Sequence, residues 1–190
     1  MDDRINLLAK VARTPHSLGA EAGISTQRSI LMLAAASYGS RPNDETTIPT
    51  GFDPFAAALF ESIVEGAYLV ATADGVFDDE ERVTFERIVT AACGGAVPRN
   101  HIADLVADLA DQVAEDGVDR RIQRLALGVQ RQEQGIELLR IAALIAQVSE
   151  DVSDVEREVL VKLATACRLD ASAVDRALED VKTSLASSTS

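Results

Sequence analysis

Residues 67–92 read AYLVATADGVFDDEERVTFERIVTAA, and residues 142–167 read AALIAQVSEDVSDVEREVLVKLATAC. The two stretches match at a constant offset of 75 positions. The identical pairs include Leu69 and Leu144, Ala71 and Ala146, Asp79 and Asp154, Glu81 and Glu156, Arg82 and Arg157, Thr90 and Thr165, and Ala91 and Ala166. Apolar positions coincide too, as Phe85 and Leu160 illustrate. Each stretch therefore predicts the same unit: an apolar helix, an acidic loop and an amphipathic helix.

Helical periodicity extends over nearly the whole chain, and no segment shows the sustained alternation of a β-strand. A third helix in each unit follows from aligning Ile102 with Val174 and Val106 with Leu178. We therefore predict an all-α, pseudo-twofold helical bundle built from a duplicated helix–acidic loop–helix–helix unit. A short first helix should end before Pro15, and further helices are predicted over residues 20–38, 54–73, 79–92, 98–115, 118–131, 134–148, 154–167 and 171–184.

The chain, at 190 residues, has the length of one domain with an appended arm. A stretch with two prolines and two glycines, residues 39–51, has the composition of a linker. The predicted segments are an N-terminal helical extension and linker (1–50), a helical domain (51–184, with repeats at about 54–115 and 134–182) and a disordered polar tail (185–190). The two most apolar helices, 54–73 and 134–148, are expected to form the centre of the bundle.

The chain is strongly acidic, with 31 Asp and Glu against 18 Lys and Arg and a net charge of −13. Such a surface repels phosphate groups, which argues against nucleic-acid binding and against docking on anionic lipid. It attracts metal cations and basic proteins instead. Residues 54–73 are long enough to cross a membrane, but Glu61 and Glu65 lie in their middle, so we predict no transmembrane span.

Residues with catalytic chemistry are few. Cys93 and Cys167 lie far apart without a Cys-x-x-Cys spacing, which favours reduced structural thiols and a cytoplasmic location. His16 and His101 have no catalytic neighbours in sequence, and no common enzyme signature is present. We therefore predict that the protein is not an enzyme, with an unrecognised enzyme as an open alternative.

The first acidic loop holds five carboxylates within eight residues. They belong to Asp74, Asp78, Asp79, Glu80 and Glu81. Two like charges about 4 Å apart repel by roughly 4 kcal/mol at an effective dielectric near 20, so a loop that gathers them favours a cation. The loop also follows the C-terminus of an apolar helix, where free carbonyls carry negative partial charge. Such oxygen ligands suit calcium, magnesium or manganese.

Helix capping explains the same residues without a metal. Asp78 followed three residues later by Glu81 resembles a capping box, and Ser153 with Glu156 is a second one. A cap of this kind stabilises a helix by about 1 kcal/mol. Capping and cation binding both remain open on sequence alone.

A second acidic group lies along the helix predicted over 98–115. Steps of four, three and four place its members on one helical face, opposite the apolar positions: Asp104, Asp108, Asp111 and Glu115. We predict that this face is solvated. Three arginines on the next helix are expected to pair with it: Arg120, Arg121 and Arg124.

The phrase Ala73-Asp74-Gly75, with Glu81 seven residues after Asp74, resembles the TerB tellurite-resistance family. The second half is similar again, from Ala142 through the ERE sequence at 156–158, so that the resemblance covers residues 54–182. It implies an all-α, pseudo-twofold fold with an acidic, metal-binding surface. It also implies roles in bacterial tellurite and chemical-stress resistance, phage defence and protein complexes at the inner face of the membrane.

By matching positions, the resemblance implies Asp74 and Glu81 as cation ligands from the first repeat and Glu156 from the second. The sequence departs from the family pattern where Ser149 aligns with Asp74 and Glu150 replaces the glycine. The neighbouring acids could substitute for the missing aspartate. The full set of candidate ligands is Asp74, Asp78, Glu81, Glu150, Asp151 and Glu156.

Two functions compete on these observations. The first is a non-enzymatic module of the bacterial stress response that binds a divalent cation. The second is a metal-free acidic adaptor that binds a basic protein partner. Both predict a cytoplasmic protein, and the resemblance adds a peripheral location at the inner membrane.

Overall fold

The computed structural model describes residues 2–15, 29–41, 52–75, 77–148 and 152–188. Within these ranges the chain forms α-helices and no β-strand, which confirms the predicted all-α class. The helices are α1 (Asp2–Arg13), α2 (Ile30–Gly39), α3 (Pro54–Ala71), α4 (Asp79–Ala92), α5 (Arg99–Asp116), α6 (Val118–Leu125), α7 (Gln132–Ala146), α8 (Asp154–Ala166) and α9 (Ala173–Ser188), with a 3₁₀ turn (Ala126–Gly128) after α6.

The two apolar helices α3 and α7 form the centre of the bundle. They pack against each other more extensively than any other pair of described helices. Helix α2 covers α3, α9 covers α7, and α1 lies against α4 and α9. Leu8 of α1 and Leu31 of α2 belong to the same hydrophobic core as Phe60 of α3 and Leu144 of α7. The first two helices therefore share the core of the other seven, and the boundary at residue 50 stays a prediction.

Several helices begin where the sequence places a cap. Asp53 precedes Pro54 at the first position of α3, and its Oδ1 accepts hydrogen bonds from the backbone N–H of Phe55 at 2.9 Å and of Ala56 at 3.3 Å. Helices α4 and α8 begin at Asp79 and Asp154, as predicted. Local capping chemistry thus determines these boundaries.

Two boundaries differ from the prediction by more than four residues, because of contacts that the periodicity does not report. Helix α2 begins at Ile30 because Ser29 has an extended backbone and its Oγ accepts the N–H of Met32 at 3.3 Å; residues 16–28 lie outside the described part. Helix α6 ends at Leu125, not at 131. The 3₁₀ turn that follows brings Gly128 so close to α3 that a Cβ there would lie 2.2 Å from Ser62 Oγ.

The C-terminal boundary differs as well. Helix α9 continues to Ser188, so residues 185–188, predicted to be part of a disordered tail, are helical. Leu185 packs against the core, which extends the helix beyond 184. Residues 189–190 lie outside the described part.

The three arginines of α6 contact Asp116 rather than the acidic face of α5. Distances to the Asp116 carboxylate are 3.5 Å from Arg120, 3.3 Å from Arg121 and 2.9 Å from Arg124. Asp116 is the last residue of α5, beside the turn into α6, so it is nearer to them than the exposed face is. The Nε of Arg121 also lies 2.6 Å from the Glu65 carboxylate, and both side chains are buried. The predicted solvated face is exposed at Asp104, Asp108, Asp111 and Glu115.

A second buried ion pair, Arg140 with Glu137 on α7, joins three helices. The Nε of Arg140 lies 2.9 Å from a Glu137 carboxylate oxygen, and each side chain is only 2 % exposed. The guanidinium also donates to the carbonyls of Val11, Ala12 and Thr14, at 3.0 to 3.1 Å, at the C-terminal end of α1. Glu137 accepts the N–H of Leu31 at 3.4 Å, in the first turn of α2. Each charge thus faces the helix end of opposite polarity; we call these two residues the α7 clamp.

Among the described helices, α3 alone is long and apolar enough to cross a membrane by length and composition. Two thirds of it, 67 %, is buried inside the protein. The predicted absence of a transmembrane span stays a prediction.

Candidate functional site

A cavity of about 310 Å³ lies where α3 and α7 end and α4 and α8 begin. Its volume is at the lower end of the range of about 300–1,000 Å³ that is typical of ligand pockets. It is lined by Ala71, Phe77, Asp78, Glu80, Glu81, Thr84, Phe85, Ile88, Ile145, Val148 and Glu156. Residues from both predicted units therefore line one cavity.

Apolar side chains form the floor of this cavity and carboxylates form its rim. The floor consists of the buried Phe85, Ile88 and Ile145 with the half-buried Phe77 and Val148. The rim carboxylates are those of Asp78, Glu80, Glu81 and Glu156, of which the first three are exposed and the last is half-buried. Such a cavity suits a ligand with an apolar body and a positive charge.

Three aromatic rings stack edge to face behind and along the floor. The ring centroids lie 5.3 Å apart for Tyr68 and Phe77, 6.1 Å for Tyr68 and Phe85, and 6.2 Å for Phe77 and Phe85. Burial raises the pKa of the Tyr68 hydroxyl above its ordinary value. Edge-to-face pairs of this kind add about 0.5–1.5 kcal/mol each beyond the area they bury, so they help to fix the cavity wall.

Three of the rim carboxylates cap helices. Asp78 Oδ1 accepts the N–H of Glu80 and of Glu81, both at 2.9 Å, while Glu81 Oε2 accepts the N–H of Asp78 at 3.0 Å. Ser153 Oγ accepts the N–H of Glu156 at 3.3 Å, and Glu156 Oε2 accepts the N–H of Ser153 at 2.8 Å. Both predicted capping boxes are therefore confirmed. The hydrogen bonds of these caps engage one oxygen of each carboxylate.

The electrostatic setting of the cavity favours a positive group. The C-terminal ends of α3 and α7 meet there and carry negative partial charge. The N-terminal ends of α4 and α8 carry positive partial charge, but acidic side chains occupy both first turns. These acids offset the positive partial charge of their own helices.

The cavity brings together Asp78, Glu81 and Glu156, three of the six candidate cation ligands. Asp74 lies in the turn after α3 and does not line the cavity; Glu150 and Asp151 lie outside the described residues. Across the described ranges, no group of three or more His, Cys, Asp or Glu side chains is placed to hold a metal ion. Calcium takes six to eight oxygen ligands, which these capped carboxylates above a carbon floor do not supply by themselves.

Sequence reasoning missed the aromatic and aliphatic floor. Phe77 stands directly before the capping residue Asp78, and Val148 follows the end of α7. In both units an apolar residue stands between the apolar helix and the acidic cap. This repeated position is the sequence signal from which the floor could have been predicted.

The cysteines and the described histidine lie away from this cavity. Cys93 and Cys167 are buried and unpaired with each other, and burial raises their thiol pKa values to about 12 and about 11. Thiols with such pKa values remain protonated at neutral pH and are poor nucleophiles. His101 is exposed at the start of α5, and His16 lies outside the described residues.

The arrangement can therefore bind a cationic, partly apolar group without any covalent step. The absence of enzymatic activity stays a prediction, as does the resemblance to the TerB family. Comparison with protein-family models, with curated proteins and with solved structures finds no match for this chain.

Proposed function

We propose that this protein is a non-enzymatic helical adaptor whose cavity binds a basic segment of a protein partner. One observation carries the proposal: an apolar floor lies below four rim carboxylates, those of Asp78, Glu80, Glu81 and Glu156. A basic, partly apolar peptide satisfies both parts of this cavity. The net charge of −13 adds long-range attraction for such a partner.

The test is a titration of the full chain with a basic amphipathic model peptide in the presence of a chelator. We expect binding that survives the chelator and weakens as salt rises, because exposed charge pairs are screened. Backbone amide shifts of the isotope-labelled protein should change around α4 and α8. An acidic peptide of the same apolar content is the control. Absence of binding, or binding far from these helices, would overturn the proposal.

A second candidate is the divalent-cation-binding module. It is favoured by the presence of Asp78, Glu81 and Glu156, all candidate ligands, at one cavity. Calorimetric titration with calcium, magnesium and manganese chlorides tests it, and Asp78→Asn, which keeps a capping side chain but removes the charge, should weaken the binding. If no heat of binding is measured at millimolar ion, the cation-binding candidate is wrong and the adaptor function remains the proposal.

We also propose that the two units arose by duplication. Helices α3 and α7 end 75 positions apart, at Ala71 and Ala146, and α4 and α8 begin 75 positions apart, at Asp79 and Asp154. Support is limited to these two helices of each unit, because α9 packs along α7 whereas α5 touches α3 only slightly. Superposition of the two halves in an experimentally determined structure tests the twofold relation.

The place of the adaptor in the cell follows only from the sequence. The lack of paired cysteines favours the cytoplasm, and the TerB resemblance favours a role in stress resistance within a complex at the inner membrane. Fractionation of cells that express the tagged protein, with and without high salt, tests this location.

A further inference from the structure

We infer that the cavity receives a single arginine side chain of the partner, with its aliphatic stem on the floor and its guanidinium at the rim. The inference rests on the proposed function and specifies its ligand. It concerns the residue that enters the cavity, whereas the adaptor function requires only that a basic segment binds.

The dimensions of the cavity suit one side chain. A volume of about 310 Å³ is at the small end of ligand pockets and is ample for one long side chain. The floor is carbon throughout, since Phe77, Phe85, Ile88, Ile145 and Val148 supply it. Such a floor suits the methylene stem of a long basic residue, because that stem buries well while its charged head stays near water.

The rim supplies charge from two opposing helices. Glu80 and Glu81 stand on the first turn of α4, and Glu156 stands on the first turn of α8. One oxygen each of Glu81 and Glu156 is engaged in a cap, so the other can accept from a partner's N–H; the side chain of Glu80 takes no part in either cap. Several carboxylate oxygens around one opening match the five donors of a guanidinium.

Arginine fits this cavity better than a metal ion or a lysine does. A divalent cation requires an oxygen shell that the carbon floor does not provide. The ammonium of lysine is a compact and strongly hydrated charge, whereas a guanidinium is weakly hydrated, planar and able to stack on aromatic rings. Phe77 and Phe85 supply such rings in the cavity floor. Cation–π contacts of this type involve arginine more often than lysine.

The test compares four short peptides that are neutral apart from their central residue. The central residue is arginine, lysine, citrulline or norleucine, and each peptide is titrated into the full-length labelled protein at low salt. We expect the arginine peptide to bind tightest. Citrulline and norleucine should bind at least about tenfold more weakly, the effect of losing a charge-assisted hydrogen bond. Equal binding of the arginine and norleucine peptides would overturn the inference.

Three variants locate the binding. Thr84→Phe fills the cavity without changing charge, and it should remove the preference for arginine. Glu80→Gln removes one rim charge and should weaken the arginine peptide about threefold to tenfold. Glu115→Gln makes the same chemical change on the exposed face of α5 and should change nothing. Circular dichroism checks that each variant is folded. If Thr84→Phe does not fold, Ala71→Leu takes its place in the test, because it fills the same cavity from α3.

The outcomes separate the inference from the proposed function. If a basic amphipathic peptide binds at α4 and α8 but the arginine and norleucine peptides bind equally, the single-arginine inference is wrong and the adaptor function stands. If no basic peptide binds the parent protein, both are wrong.

Discussion

Replacing Arg140 with methionine should destabilise the protein by about 3–5 kcal/mol, the usual cost of removing one partner from a buried ion pair. Methionine keeps an unbranched apolar side chain about as long as the arginine stem, so the main loss is the guanidinium with its charge and hydrogen bonds. Glu137, 2 % exposed, would keep its carboxylate inside the protein without the guanidinium 2.9 Å away. The carbonyls of Val11, Ala12 and Thr14 would lose their donor as well.

The magnitude can be checked against the total stability of the domain. Proteins of this size have a free energy of unfolding of about 5–15 kcal/mol, so the Arg140→Met variant should still fold but unfold at a lower urea concentration. Because the lost bonds hold the C-terminal end of α1, amide hydrogen exchange in α1 should accelerate more than exchange in α3. Urea unfolding followed by circular dichroism and hydrogen exchange together measure the global and local effects.

A double variant separates the effect of the ion pair from the effect of an uncompensated charge. Arg140→Met with Glu137→Leu removes both charges, so it should cost less than Arg140→Met alone, because no buried carboxylate is left uncompensated. Glu137→Gln alone should also cost less, since Arg140 keeps its three carbonyl acceptors. If Arg140→Met costs under about 1 kcal/mol, or if the double variant is the least stable, the α7 clamp does not act as described.

Three other perturbations test the rest of the fold. Arg121→Met should cost about 3–5 kcal/mol in urea unfolding, because it leaves the buried Glu65 carboxylate without its partner; equal costs for Arg121→Met and Glu65→Gln would contradict this reasoning. Burial outweighs the guanidinium and raises the Glu65 pKa, so its contribution to stability is largest at acidic pH and is lost as pH rises through that raised pKa; Glu65→Gln should flatten the pH dependence of unfolding there. Gly39→Ala should lower the melting temperature, since its Cβ would lie 1.9 Å from the Ala96 carbonyl oxygen; an unchanged temperature would refute the contact. Cys93, with a pKa near 12 and no exposure, should react with a thiol reagent only on unfolding, and fast labelling of the folded protein would contradict its burial.

The sequence predicts helices well wherever their boundaries depend on neighbouring residues. Asp53 with Pro54, and Asp78 with Glu81, determine helix starts through hydrogen bonds that span two or three residues. The periodicity then identifies the buried face of each helix. The all-α class and the central position of α3 and α7 follow from these local patterns.

Contacts between distant parts of the chain could not be predicted in the same way. Arg140 reaches the end of α1, 129 positions from Val11, and Arg121 reaches Glu65 across 56 positions. Arg121 lies three residues after Val118 and four before Leu125, on the apolar face of α6, whereas Arg120 and Arg124 lie off that face and are exposed. The periodicity therefore indicates which arginine faces the core, but its pairing with Glu65 depends on the packing of α6 against α3.

The candidate site was predicted in part for the same reason. The carboxylates of the acidic loops are visible as a sequence pattern, and three of them do meet at the cavity. The floor below them requires that the ends of α3 and α7 come together, which the repeat suggests but does not specify. Carboxylates alone pointed to a cation, whereas carboxylates above an apolar floor favour a basic side chain.

The aromatic cluster at the cavity gives this protein a built-in optical reporter. The chain has two tyrosines and no tryptophan, so tyrosine absorbs and emits without a stronger chromophore to mask it. Tyr68 packs edge-on against Phe77 and Phe85, both in the cavity floor, whereas Tyr38 contacts Phe60, eight residues before Tyr68 in α3. A group that enters the cavity changes the surroundings of Tyr68 first. Near-ultraviolet circular dichroism can therefore follow occupancy without a label, and Tyr38→Phe removes the signal of the other tyrosine.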